Sequence, residues 1–410
     1  MKKILIIGFV WPEPNATAAG SRMLQLIHFF KQQNYHITFT STATETSNSF
    51  NLSVLGIDKK QIELNNSSFD IFLNDLNPEV VLFDRFMIEE QFGWRVAKNS
   101  PNALKILNSE DLHSLRATRN EAFKSGNEFL VANWLKADIT KREIASIYRS
   151  DFTLIISSFE KQLLQNELNI DDSLLLHLPF MLDPINETIK ESWLSFHEKT
   201  NFICIGNGKH APNMAAIYWL KKEIWPLIYN QLPKAELHIY GAYLPQSITQ
   251  MHKPKEGFHI LGKAKDAIET IGSARINLAP LPFGAGIKGK LVDGMLAGTP
   301  SVTTAIGVEG MHKKLPWNGS IANDAQTFAN ESVMLYQNEK KWKKAQQNGV
   351  EIINSLYDKE LLSQKLKEKI NTIEKAIETH RNKNFIGAML HHHTMNSTKY
   401  LSRWIEAKNK

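Results

Sequence analysis

The chain has 410 residues, 42% hydrophobic and 22% charged, with a net charge of +6. Two domains are expected at this length, and the composition excludes a disordered or collagenous chain. The single cysteine, Cys204, excludes an internal disulfide and fits a reducing compartment, so a cytoplasmic protein is expected. The mild positive charge admits a nucleotide, a phospholipid surface or RNA as partner without choosing among them.

Residues 4–10 form an apolar run behind Met1-Lys2-Lys3 that ends at Trp11-Pro12-Glu13-Pro14. It is short and lacks a small-residue cleavage site, so a buried parallel strand is expected rather than a signal peptide. No run approaches the ~18 apolar residues of a membrane span. A helix is expected over 20–33, with further strands at 36–40, 80–83, 104–107, 152–156 and 174–179 and a helix at 158–168. After a polar stretch the alternation restarts: strands at 202–205, 236–240, 259–261, 276–279 and 301–303, and helices at 215–229, 289–297, 325–337 and 339–356. Strands alternating with helices predict an α/β protein with parallel sheets covered on both faces. The division is residues 1–185 for the first doubly wound domain, 186–200 for a linker and 201–375 for the second. A basic helical tail, 376–410, holds six Lys/Arg against two Asp/Glu. Its His391-His392-His393 run would splay around a helix and make no metal cage.

The strongest chemical signal is Pro282-Phe283-Gly284-Ala285-Gly286-Ile287-Lys288-Gly289-Lys290, where a strand ends in a glycine-rich turn that opens a helix. Glycines let backbone N–H groups approach a ligand, and a helix N-terminus favours negative charge. With Lys288 and Lys290 added, the turn is suited to cradle a diphosphate.

This segment, closing with Gly298-Thr299-Pro300, resembles the donor site of GT-B glycosyltransferases of family 4, within the glycosyl transferases group 1 superfamily. There G-x-G-[IL]-K-x-K leads into an acidic helix and a G-[TS]-P turn. Ile205-Gly206-Asn207-Gly208-Lys209-His210, Leu237-His238-Ile239-Tyr240-Gly241, Ile260-Leu261-Gly262-Lys263 and Thr303-Thr304-Ala305-Ile306-Gly307 resemble its other donor-domain elements in order. The resemblance implies two Rossmann-like domains facing across a cleft, the first binding acceptor and the second a nucleoside diphosphate sugar (UDP- or GDP-linked). It also implies transfer with retention of anomeric configuration, no metal and no cofactor beyond the donor, and a tail packing back on the first domain.

Matching positions make Gly20, Lys209, Gly284, Gly286, Ile287, Lys288, Lys290 and Asp293 the donor-binding candidates. Asp293 would accept ribose hydroxyl hydrogen bonds, and the base would lie near 240–242 and 262–266. Many members carry a second glutamate eight residues before this acid; here that position is Ala285, which leaves the contact to the sugar unassigned. In the first domain the loop 11–20 and Ala19, Gly20, Ser21 and Arg22 are candidates to face donor phosphate and acceptor. Asn108 to Arg116 concentrates two carboxylates, a histidine and an arginine after a strand. The catalytic candidates are His113, contacting the transferred sugar, with Glu110 and Asp111 near the acceptor hydroxyl; Arg149 and Glu160 are weaker. A sugar-nucleotide epimerase or hydrolase, or a retired nucleotide-sugar-binding scaffold, would share most of these residues. The acceptor, whether glycan, lipid-linked sugar, protein or RNA, is not legible, and the basic tail is open to three readings: a packed terminal helix, peripheral membrane contact or RNA contact.

Overall fold

The computed structural model describes residues 1–409, with the side chains of all but 393–396. Along β1 (Lys3–Gly8) the apolar side chains alternate between two cores: Ile4 and Ile6 join one cluster, Leu5 and Ile7 the other. That is the period of two of a strand buried on both faces. It is repeated in β4 (Val80–Asp84), where Val80 and Leu82 face one core and Val81 and Phe83 the other.

The first sheet adds β2 (His36–Ser41), β3 (Asp58–Gln61), β5 (Leu104–Asn108), β6 (Phe152–Ile155) and β7 (Leu175–His177), in the order β3-β2-β1-β4-β5-β6-β7. The second contains β8 (Thr200–Ile205), β9 (Leu237–Tyr240), β10 (Phe258–Gly262), β11 (Ala274–Ala279), β12 (Ser301–Thr303) and β13 (Gly319–Ile321), in the order β10-β9-β8-β11-β12-β13. Every pairing in both is parallel. The order reverses at β1/β4 and β8/β11, and ligands of such sheets bind beyond the carboxyl ends at that switch point.

Two edge strands depart from the expected list. β3 reads Asp-Lys-Lys-Gln and β13 Gly-Ser-Ile, neither with an apolar pattern to betray it. Both are held by backbone pairing at a sheet edge. The single helix expected over 215–229 is three segments, Ala211–Trp219, a π turn at Leu220–Ile224 and Trp225–Gln231. Pro226 has no N–H for the helical ladder, and the wider turn absorbs the mismatch.

The chain crosses between domains twice, side by side: Leu182 N–H donates to Tyr357 O at 2.8 Å, and Lys359 N–H to Leu182 O at 2.9 Å. The return therefore begins near residue 358, earlier than the boundary at 375. The helix Lys359–Lys375 places Leu362, Leu366, Ile370 and Ile373, spaced three and four apart, in the first domain's core. Beyond it, Arg381 pairs with Asp151 at 2.7 and 2.8 Å and caps the carbonyls of Pro101 and Ala103, each at 2.7 Å. The last helix, Phe385–Lys408, lies on the first domain, where Arg95 donates to Ser402 Oγ at 3.3 Å.

Candidate functional site

The carboxyl ends of β1, β4 and β5 in one domain face those of β8 and β11 in the other, and the space between them is a cleft of about 690 Å³. That is the size of a site for a nucleotide-scale ligand. All eleven candidates, Gly20, Glu110, Asp111, His113, Lys209, Gly284, Gly286, Ile287, Lys288, Lys290 and Asp293, line it.

On the second domain, β11 ends at Ala279 and the glycine-rich loop leads into the helix Gly289–Leu296. Gly286 has φ +65°, and a Cβ there would come 2.7 Å from Asp111 Cβ across the domain boundary. Glycine at this position is what lets the two halves of the site touch. Lys288 Nζ donates to Gly286 O at 2.8 Å, folding the loop onto itself. Its ammonium is lowered by burial, with Glu309 and Glu160 pulling the other way. Lys290 Nζ donates to Asn213 Oδ1 at 2.8 Å and would meet any side chain placed at Gly206. It thus bridges the helix N-terminus to the loop after β8. Burial lowers it too, opposed by Cys204 and Asp293. Asp293, one turn along, is pushed up to about 7, by burial first and then by Asp266. Lys209 is exposed, with Nζ 3.9 Å from the Tyr243 ring centre.

On the first domain, the loop 11–17 leads into the helix Ala18–Gln32, capped by Thr17 Oγ1, which accepts from Gly20 N–H at 3.0 Å. A Cβ at Gly20 would lie 2.4 Å from the Glu13 backbone, so the tight loop requires glycine. Ala19, Gly20 and Ser21 line the cleft. Arg22 does not: it is fully buried beneath, donating to Asn108 Oδ1 at 3.2 Å and to Pro179 O at 3.0 Å. Its role is to hold β5 and to sit 3.8 Å from Glu110. Burial pushes the Glu110 carboxyl above its ordinary range, with Arg22 opposing.

Asp111 has Arg116 at 3.0 Å and His113 at 3.1 Å. Burial disfavours its charge, but Arg116, His113 and Arg85 together hold it below the usual carboxylate range. His113 is lowered, by burial first and by Arg116 and Arg85, so the imidazole is neutral at neutral pH. Its Nδ1 lies 3.0 Å from Asp111 O. A carbonyl only accepts, so Nδ1 carries the proton and Nε2 is left as an acceptor, suited to a ligand hydroxyl. Glu143 fixes this turn from behind, accepting from the backbone N–H groups of His113 and Ser114, each at 2.9 Å.

Arg149 is not part of the site. It is buried in a pair with Glu89, Nη2 to Oε2 at 2.5 Å, and does not line the cleft. Glu160 acts at one remove: its Oε1 accepts from Leu112 N–H at 3.2 Å and from Gly286 N–H at 2.7 Å. It ties the loop carrying the carboxylates to the glycine-rich loop. Burial, then Asp111, push it well above the ordinary range. Ala285, at the position where a glutamate was absent, packs against the apolar core of the first domain.

Sequence reasoning missed the backbone geometry at two charged residues and a role for His210. Arg85 directly follows β4 and Glu110 stands two residues beyond β5, with φ of +77° and +61°, and both line the cleft. Left-handed backbone at non-glycine residues is uncommon and clusters at functional sites. The charged Arg85 straight after an apolar strand is legible in the sequence; its left-handed backbone is not. His210, also in the lining, is lowered to about 4, by burial first and then by Arg116.

Residues 199–338 match the family model described as glycosyl transferases group 1. No curated protein matches the chain. Among solved structures, it is similar to the sucrose-phosphate synthase of Thermosynechococcus elongatus, with TM-score 0.68, 14% identity, and coverage of 92% of this chain and 100% of that one. A glycosyltransferase of Rickettsia africae ESF-5 gives TM-score 0.64 at 12% identity, covering 92% and 99%. The Anabaena protein HepE, solved with UDP and glucose, gives TM-score 0.64 at 12% identity, covering 90% and 100%. At these identities the likeness is one of fold, the two-domain GT-B architecture.

Proposed function

We propose that this chain, which carries a glycosyl transferases group 1 domain on a GT-B fold, transfers a sugar from a nucleoside diphosphate sugar to an acceptor hydroxyl with retention at the anomeric carbon. The observation that carries this reading is the contact of two loops at one cleft. The glycine-rich loop with Lys288 and Lys290 meets the turn bearing Glu110, Asp111 and His113, with Gly286 against Asp111.

Each side supplies a different part. The N-terminus of the helix Gly289–Leu296 with Lys290 and Lys288 receives the diphosphate and stabilises the charge that grows on it as the bond to the sugar breaks. The two lysines occupy the role a divalent ion has elsewhere, so the reaction is expected to need neither metal nor cofactor. Asp293 accepts from ribose hydroxyls, and Gly241 to Tyr243 with Lys263 border the base. His113 Nε2 accepts from a hydroxyl of the transferred sugar, and Glu110 and Asp111 orient the acceptor. Retention requires the acceptor oxygen to approach from the face the diphosphate leaves. The new C–O bond forms as the old one breaks, its electron pair goes to the diphosphate, and the departing phosphate oxygen is the nearest base for the acceptor proton. HepE was solved with UDP and glucose, which makes a UDP-sugar the first donor to try; GDP-sugars are the second.

The acceptor side faces a membrane on this reading. Tyr400, Leu401 and Trp404 are each about 60% exposed on the last helix, beside Lys399, Arg403 and Lys408. Apolar rings flanked by cations suit an anionic lipid surface, consistent with a cytoplasmic, membrane-peripheral enzyme and a lipid-linked acceptor. No helix among the described residues is long and apolar enough to cross a membrane.

The test is a panel of UDP- and GDP-sugars, with nucleotide release measured with and without candidate acceptors and the product anomer assigned by NMR. Acceptor-dependent release with retained configuration is expected. Acceptor-independent turnover with an epimerised sugar would replace the reading by an epimerase or hydrolase, and binding without turnover by a retired scaffold.

A further inference from the structure

Away from the cleft, at the edge of the second sheet, β9 and the outermost strand β10 are in a register that sets His238 beside His259. Glu236 precedes His238 by two residues, so all three side chains stand on one face. One donor atom from each lies within 4.8 Å of the other two. Glu236 Oε2 is 2.9 Å from His238 Nε2, and its Oε1 is 3.8 Å from His259 Nε2. The His259 Nε2 atom is buried and has no hydrogen-bond partner among the described residues. A buried ring nitrogen with nothing to bond is uncommon and asks for an explanation. Burial lowers His259, which keeps the imidazole in the neutral form that ligates metals; Glu236 opposes this, while His238 and His252 reinforce it.

We propose that Glu236, His238 and His259 form a binding site for a borderline divalent cation, Zn²⁺ in the first instance, with water completing a tetrahedron. Two imidazoles and a carboxylate suit zinc, whereas Mg²⁺ and Ca²⁺ select oxygen ligands. Ligands at the usual ~2.0–2.2 Å from zinc stand closer together than 4.8 Å, so binding draws the three donor atoms inward around the ion. His238 Nε2–H donates to Glu236 in the metal-free protein, and ligation through Nε2 moves that proton to Nδ1 of the neutral ring. His252 is a neighbour and not a ligand: its Nδ1 accepts from Ile260 N–H at 3.0 Å, which leaves the proton on Nε2. The site lies at the amino ends of β9 and β10, opposite the cleft. A metal there would clamp the edge strand and take no part in transfer.

The experiment is a Zn²⁺ titration of the chelator-stripped full-length chain against a chromophoric competitor, with Co²⁺ absorption as a second readout. One tight equivalent is expected, unaffected by excess Mg²⁺, with a rise in Tm on binding and tetrahedral Co²⁺ bands. H259A and E236A should each weaken it by more than the roughly 10–100-fold that losing a mere orienting partner costs, with far-UV circular dichroism confirming the fold. Glu236 is half-exposed at the strand's start, so E236A stays informative if H259A fails to fold. H392A/H393A, which removes the competing histidine run, should keep the tight equivalent. Its absence from the parent chain, its survival in E236A, or its loss in H392A/H393A overturns the proposal.

Discussion

Arg119 and Glu309 form a two-point ion pair across the domain boundary, Nη1 and Nη2 lying 2.7 and 3.0 Å from the two carboxylate oxygens. The same Nη1 donates to Gly284 O at 2.8 Å. One guanidinium from the helix His113–Lys124 thus holds both the second domain and the first residue of the glycine-rich loop. R119A and E309A are expected to raise the donor KM about tenfold, and a double-mutant cycle on stability should show a coupling of about 1–3 kcal/mol. A coupling near zero would mean that the pair does not set the domain geometry.

Lys290 is the cleaner probe of the proposed diphosphate site, because Lys288 is also tied to the shape of its own loop. K290A should lower kcat/KM by about 10²–10³-fold with an unchanged circular dichroism spectrum, the scale of losing one preorganised charge partner. Near-normal turnover in a folded K290A protein would remove the assignment.

Asp293 makes opposite predictions for activity and stability. Its carboxyl is raised to about 7 in the folded chain, against an unfolded value of about 3.9. Accepting ribose hydroxyls favours the ionised form, so kcat/KM for the donor should rise as pH increases through about 7, and D293N should be low and lack that limb. For stability the folded state holds the proton more tightly. The contribution is fully present below the unfolded pKa and is lost as pH climbs from about 4 to 7. D293N should therefore gain on the parent chain at pH 8, by roughly 1–3 kcal/mol, and the gap should close towards pH 4. Parallel denaturant melts across that range check the sign.

The last helix is tested by sedimentation with vesicles. Parent chain should pellet with vesicles containing anionic lipid and far less with neutral ones, and the bound fraction should fall with salt. W404A/L401A should reduce binding several-fold while leaving turnover of a soluble acceptor unchanged, since neither residue lines the cleft.

Much of the scaffold was legible because burial on both faces writes itself as short apolar runs: the helices 158–168, 325–337 and 339–356 and the strand 301–303 have the bounds their patterns predicted. The glycine-rich loop was legible for a related reason, since backbone conformation and helix-end charge demand particular residues at particular spacings. Pairing alone defines β3 and β13, and no side-chain period announces them. Nor does a linear pattern say which polar residue faces a ligand. Arg22 and Ser21 are neighbours, yet the helix turns one beneath the sheet and the other into the cleft. Glu160 meets Gly286 across 126 positions, and Arg119 meets Glu309 across 190. Local propensity and hydrophobic period determined the two folded halves and their phosphate-suited loop. The partners of the buried charges were decided by tertiary structure, because a desolvated charge is satisfied by whatever the packing of distant segments brings within reach.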